Sequence, residues 1–157
     1  MTLPSAAAVD FDLETYVPYL LNRIGTALVI RFVDGLKDAE LTLPMFRVMA
    51  LLFSRGPTRF GVLRALSLIE PPTLARIIAL LSERGYVSRT RSDVDGRGTV
   101  IRLSNEGHKV VEALIPWAEE VANYTVEGLT ADEAEFFKRI LLRVCRQVAP
   151  SPPATQE

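Results

Sequence analysis

The sequence predicts a mainly α-helical, α+β protein whose β structure is one short hairpin, and three observations carry that prediction. Apolar residues recur at three- and four-residue spacing through most of the 157 positions. The stretch Arg84 to Gly107, RGYVSRTRSDVDGRGTVIRLSNEG, instead alternates like two strands around a loop bearing Asp and Gly. Two short helices precede the hairpin, while both ends of the chain carry long amphipathic stripes.

The elements follow in order. From about Asp12 to Leu36, the apolar Leu13, Val17, Leu20, Leu21, Ile24, Leu28 and Phe32 mark one long helix. Thr42, with Pro44 behind it in the first turn, opens a second helix through Phe46, Met49 and Leu52 to about Ser54. Gly56-Pro57 breaks it, and Thr58 caps a third helix to about Leu66. A fourth runs from about Pro71 to Arg84; its first turn accepts Pro71 and Pro72 because no backbone donor is needed there. Gly85 stops it. The strands Tyr86 to Thr90 and Thr99 to Leu103 follow, joined by a loop from Ser92 to Gly98. Ser104 starts a long helix from about Asn105 to Glu127, with Val111, Leu114, Ile115, Val121 and Ala122 on one side and a bend expected at Pro116. Thr130 and Glu133 form a capping box for a last helix, in which Phe136, Phe137, Ile140, Leu141, Val144 and Val148 make the expected buried stripe. The tail from 149 to 157, rich in Pro, predicts disorder.

Two short helices and a hairpin make a helix-turn-helix with a wing, and the charge distribution suits one. The chain carries 18 basic and 19 acidic residues, a net charge of −1. From Arg55 to Arg102, however, nine arginines face four acids, a balance of +5 that leaves −6 on the remainder. A basic middle between acidic ends points to a polyanion partner for the middle alone; the competing reading is a solvated face with an accidental bias. The rival architecture, an all-α bundle with an incidental hairpin, explains the periodicities but not the segregated arginines. The terminal helices hold more apolar surface than one subunit of this size can cover, so they predict a homodimer.

Composition excludes much else. With 48% hydrophobic and 24% charged residues the chain supports one core, and a single domain over 1–157 is expected. No apolar run reaches membrane-spanning length, since Asn22, Arg23 and Arg31 interrupt the most hydrophobic stretch, and no membrane partner is expected. The first residues lack the charge pattern of a signal peptide, so a cytoplasmic location is expected. One cysteine, Cys145, and one histidine, His108, leave no disulfide, no multi-thiolate or His-pair metal site and no evident nucleophile–base pair. Neither a cofactor, a metal nor an enzymatic activity is expected.

The hairpin motif Asp95-Gly96-Arg97, then Ile101, Leu103-Ser104 and Gly107, resembles the wing of the MarR family of winged-helix transcription regulators. Leu41-Thr42-x-Pro44, Leu81-x-x-Arg84-Gly85-Tyr86-Val87 and Leu129-Thr130 with Glu133 match the same family in order, so the resemblance spans Phe11 to Val148. It implies a DNA-binding part over about 39–107 between dimerisation helices over about 11–37 and 108–148. The resemblance also implies that the fourth helix enters the major groove with Thr73 and Arg76, and that Arg97, oriented by Asp95, grips the minor groove or its phosphates. The expected DNA-contacting set is Thr58, Arg59, Thr73, Arg76, Arg89, Arg91, Asp95 and Arg97.

Two departures bear on specificity. Arg64 stands where the family usually has a small residue, and Ala79 and Leu80 stand where the fourth helix is usually polar. Such a face contacts thymine methyls, packs on the wing, or discriminates weakly. The family further implies a pocket for a small aromatic or phenolic acid, with Leu28, Met45, Met49 and Trp117 as candidate lining and Arg23 or Arg47 as candidate carboxylate partners. The leading expectation is a homodimeric repressor that binds a pseudo-palindromic DNA operator and is released by such a ligand. Two alternatives stand beside it: a redox-responsive regulator through Cys145, although an inert packing cysteine is expected in the last helix, and a winged helix used for protein contacts alone.

Overall fold

A computed structural model describes residues 11–91 and 98–148, and it contains six helices and a small three-stranded sheet on which α2, α3, α4 and α5 pack. The chain order is α1 (Val17–Leu36), α2 (Leu43–Arg55), β1 (Thr58–Arg59), α3 (Phe60–Ser67), α4 (Pro71–Glu83), β2 (Val87–Arg91), β3 (Thr99–Leu103), α5 (Asn105–Thr125) and α6 (Ala131–Val148). The expected tail lies outside the described residues.

Local chemistry sets most boundaries. Thr42 caps α2 by accepting from the Met45 N–H at 3.4 Å, and Ser104 caps α5 by accepting from the Gly107 N–H at 3.0 Å. At α6 the Thr130 hydroxyl accepts from the Glu133 N–H at 3.3 Å while the Glu133 carboxylate accepts from the Thr130 N–H at 2.8 Å, a reciprocal capping box. Helix α4 closes with Gly85 at φ 74°: Gly85 N–H reaches the Ser82 carbonyl at 3.0 Å and Tyr86 N–H the Leu81 carbonyl at 2.9 Å. That is a Schellman stop, which needs the left-handed region that glycine enters freely. Helix α5 is continuous across Pro116.

Three expectations are corrected. Helix α1 starts at Val17 rather than Asp12, because the Asp12 carboxylate takes the Glu14 N–H and the Thr15 hydroxyl, each at 2.9 Å, into a turn. Pro18 then falls in the first helical turn, where its missing N–H costs nothing. Thr58 does not cap α3. It belongs to β1, pairs with Ile101 of β3, and donates its hydroxyl to the Gly56 carbonyl at 2.9 Å, leaving Arg59 at the cap position. The stripe of α6 is not fully buried: Phe137, Ile140, Leu141 and Val144 are half-buried, and Phe136 and Val148 are 56% and 73% exposed.

The sheet order is β1-β3-β2, both pairings antiparallel, with β3 central. Its inner face sets Ile101 and Leu103 against a core built around Met49, Leu52, Leu63, Leu74 and Leu81. Two glycines allow close approaches. A Cβ on Gly107 would strike the Tyr86 carbonyl, so this glycine lets the start of α5 rest on the chain entering β2. A Cβ on Gly35 would overlap the Trp117 indole, whose Nε1 donates to the Phe32 carbonyl at 3.2 Å and ties α5 to α1.

Candidate nucleic-acid interface

Between α3 and α4 the chain turns through 111° in three residues, the geometry of a helix-turn-helix. Leu68 makes the turn at φ 55° with its N–H on the Arg64 carbonyl at 3.1 Å, and its side chain is 63% exposed. Helix α4 then seats Leu74, Ile77, Ile78 and Leu81 in the core. By helical periodicity the opposite stripe is Thr73, Arg76, Leu80 and Glu83, all exposed. The two α4 residues expected to face DNA therefore point outward, on a face the core leaves open.

The wing continues from this helix with little slack. Val87 pairs with Leu103, Arg89 with Ile101 and Arg91 with Thr99, so the hairpin register is fixed by the buried Val87, Ile101 and Leu103. Arg89 and Arg102 are exposed on it. Among the described residues none of Arg64, Arg76, Arg89 and Arg102 forms an ion pair; the ion pairs present use Arg31, Lys37, Lys109 and Lys138. Among the described residues no carboxylate pairs with their charge. Arg91 is described as a backbone position of β2, and the expected wing pair Asp95 and Arg97 lies outside the described residues. Thr58, placed with the DNA-contacting set by sequence, is buried, and Arg59 beside it is half-buried.

A separate groove of about 320 Å³ opens beside α2, lined by Phe32, Leu43, Phe46, Arg47, Ala50 and Leu51. Its lining is apolar apart from Arg47, whose side chain is exposed. The four residues expected to line a pocket are elsewhere. Met45 and Met49 are buried core residues, Trp117 packs on α1, and Leu28 is half-buried on α1. The signal for this groove was present in the sequence: Leu43, Phe46, Arg47, Ala50 and Leu51 share one helical face, and Met45, Val48, Met49 and Leu52 share another. A helix apolar on two faces needs two things to pack against.

The described residues contain no cluster of metal-ligating side chains and no single helix long and apolar enough to cross a membrane. Cys145, expected to be an inert packing residue, is exposed on α6.

Comparison with known proteins agrees with this geometry. The sequence model of the transcriptional regulator family SarA/Rot matches residues 32–114. The transcriptional repressor NicR of Pseudomonas putida is 25% identical over 135 residues, which cover 84% of this chain and 85% of that protein. A MarR family regulator from Silicibacter pomeroyi superposes with a TM-score of 0.81 at 25% identity, covering 90% of this chain and 96% of its own. Bordetella bronchiseptica BpsR superposes with a TM-score of 0.74, also at 25% identity, over 82% of this chain and 97% of its own. Matched across half its length by a regulator family and across nearly all of its fold by winged-helix neighbours, the chain belongs to the MarR family of winged-helix transcriptional regulators, DNA-binding proteins that are not enzymes.

Proposed function

We propose that the protein is a homodimeric repressor that seats α4 in the major groove, lays the β2–β3 wing along the neighbouring backbone, and is released by a small apolar anion held in the groove beside α2. The observation that carries this reading is the exposed Arg76 on the outer side of a helix packed on its inner face, followed by the exposed Arg89 on β2, neither in an ion pair among the described residues. Arginine forks suit phosphates and guanine edges alike. Thr73, Arg76, Arg89, Arg91 and Arg97 make up the contacting set, with Asp95 orienting Arg97. Thr58 supports that set from the core by anchoring β1. Two recognition helices related by a twofold axis read successive grooves about 34–36 Å apart, so the operator is a pseudo-palindrome. Such a protein acts in the cytoplasm.

The ligand part of the reading rests on the α2 groove. Its volume of about 320 Å³ fits a one-ring molecule, its walls are apolar, and Arg47 places a cation at its edge. NicR is a repressor, and the BpsR structure concerns regulation of its DNA binding by 6-hydroxynicotinic acid. Gel-shift binding to the duplex upstream of the protein's own gene, with and without 6-hydroxynicotinic acid and benzoate, tests both parts. Retarded DNA that is freed by either acid in the wild type but not in Arg47→Ala is the expected result. Binding that no aromatic acid alters refutes the ligand part, and the absence of binding to any duplex refutes the whole.

A thiol-based response has one observation in its favour, the exposure of Cys145. It loses that access if α6 pairs with a second subunit. Unchanged operator binding after peroxide treatment is the expected result.

A further inference from the structure

We infer that α4 reads thymine methyl groups, with Leu80 as a specificity-determining contact beside Arg76. The inference rests on the proposed docking of α4 in the major groove. Leu80 is 37% exposed although it sits on a helix whose inner face is fully packed. It stands outside the set of apolar residues that pack on the core, so more than a third of its surface is left open. Around it the outer face is short of hydrogen-bonding groups. Pro72 and Ala75 are exposed, Ala79 is half-buried, and Ser82 turns its hydroxyl to the Val87 carbonyl at 3.3 Å. Only Thr73 and Arg76 offer polar side chains before the terminal Glu83.

The major groove decides what such a face can read. Guanine, cytosine and adenine present acceptors and donors there, and the thymine C5 methyl is the groove's one apolar feature. Covering N7, O6 or N4 groups with a leucine strips their water and returns no hydrogen bond, which disfavours G·C pairs. Covering a methyl removes apolar surface from water on both partners, which favours T·A. The same side chain therefore both selects and rejects. Arg76, free of ion pairs among the described residues, is placed for a fork onto guanine. Leu80 is four residues, roughly 6 Å of helix rise, further along α4. At about 3.4 Å per base pair, each half-site should carry a thymine within about two base pairs of the guanine read by Arg76.

Selection of operators from random duplexes by the full-length protein, followed by replacement of single thymines with deoxyuridine, removes the methyl and nothing else. The expected result is an enriched thymine in each half-site at which deoxyuridine weakens wild-type binding about fourfold, the burial of one methyl. Leu80→Ala should bind the thymine and deoxyuridine duplexes equally. Arg76→Ala should shift the guanine preference and keep the thymine effect. If deoxyuridine is neutral at every position while Arg76→Ala still changes the selected sequence, the Leu80 inference is wrong and the docking stands. If neither variant alters the selected sequence, the docking of α4 is wrong and the inference goes with it.

Discussion

At the residue scale, two positions show how much a single backbone demand can dictate. Gly107 follows the α5 cap, and the space its Cβ would need is held by the Tyr86 carbonyl, a backbone group that cannot rotate away. Gly107→Ala should destabilise the protein by about 2 kcal/mol through forced overpacking, read by urea unfolding at fixed protein concentration. An unchanged midpoint would mean that the α5 and β2 junction yields freely. Leu68 is the opposite case. It holds φ 55° in the helix-turn-helix turn, where a side chain is strained, and its own side chain is 63% exposed. Leu68→Gly should therefore stabilise by about 1 kcal/mol, since glycine enters that region without the steric penalty. Loss of stability there would show that the exposed leucine makes a contact beyond its own subunit. The Gly107 position was legible in the sequence as part of a family motif, whereas the strain at Leu68 was not, because nothing local in a leucine announces a left-handed turn.

At the element scale, caps were legible and pairings were not. Thr42, Ser104 and the Thr130–Glu133 box each satisfy helix-end donors within three residues, so the sequence contains the whole interaction. Thr58 looks like a cap by the same logic, yet its partner Ile101 lies 43 residues away in β3, and only the folded sheet supplies it. The start of α1 was missed for a local reason, since the Asp12 turn overrides the apolar spacing and Pro18 suits the first turn of the helix that follows. The groove went unread because α2 is apolar on two faces and spacing alone does not say which faces the core. The capping box also sets a pH dependence. The Thr130 N–H and hydroxyl hold the Glu133 carboxyl below its ordinary value of 4.5. A depressed folded pKa contributes stability that is complete above that ordinary value and fades as pH falls through the folded one. Amide exchange in Ala131–Ala134, corrected for intrinsic rates, should therefore accelerate as the pH falls from 4.5 through the lowered folded value, and Glu133→Gln should abolish that acceleration. Identical exchange profiles for the two proteins would remove the carboxylate from the cap.

At the scale of the whole molecule, the described subunit is well packed in its middle and open at its ends. The core lies between α2 and the sheet, whereas α1 fully buries only Leu36 and α6 fully buries no residue. Val17, Leu21, Ile24, Ile30, Phe136 and Leu142 are each at least 40% exposed, and they belong to the two terminal helices. Periodicity found these stripes, and their length is what led to the expectation of a second subunit. An isolated helix like α6 has little reason to persist in water without a partner for its apolar face. The full-length protein should therefore have twice the monomer mass by light scattering at micromolar concentration. Phe136→Asp combined with Leu142→Asp should place two charges in that contact and give monomers, with the α2–α4 core still folding cooperatively. On the proposed reading each subunit grips one half-site, so losing the partner removes the second, tethered contact, and operator affinity should fall on the order of a hundredfold or more. Affinity for a single half-site duplex should change little. A wild-type protein that runs as a stable monomer, or a double variant that remains dimeric and binds its operator as before, would place the twofold contact elsewhere or remove it.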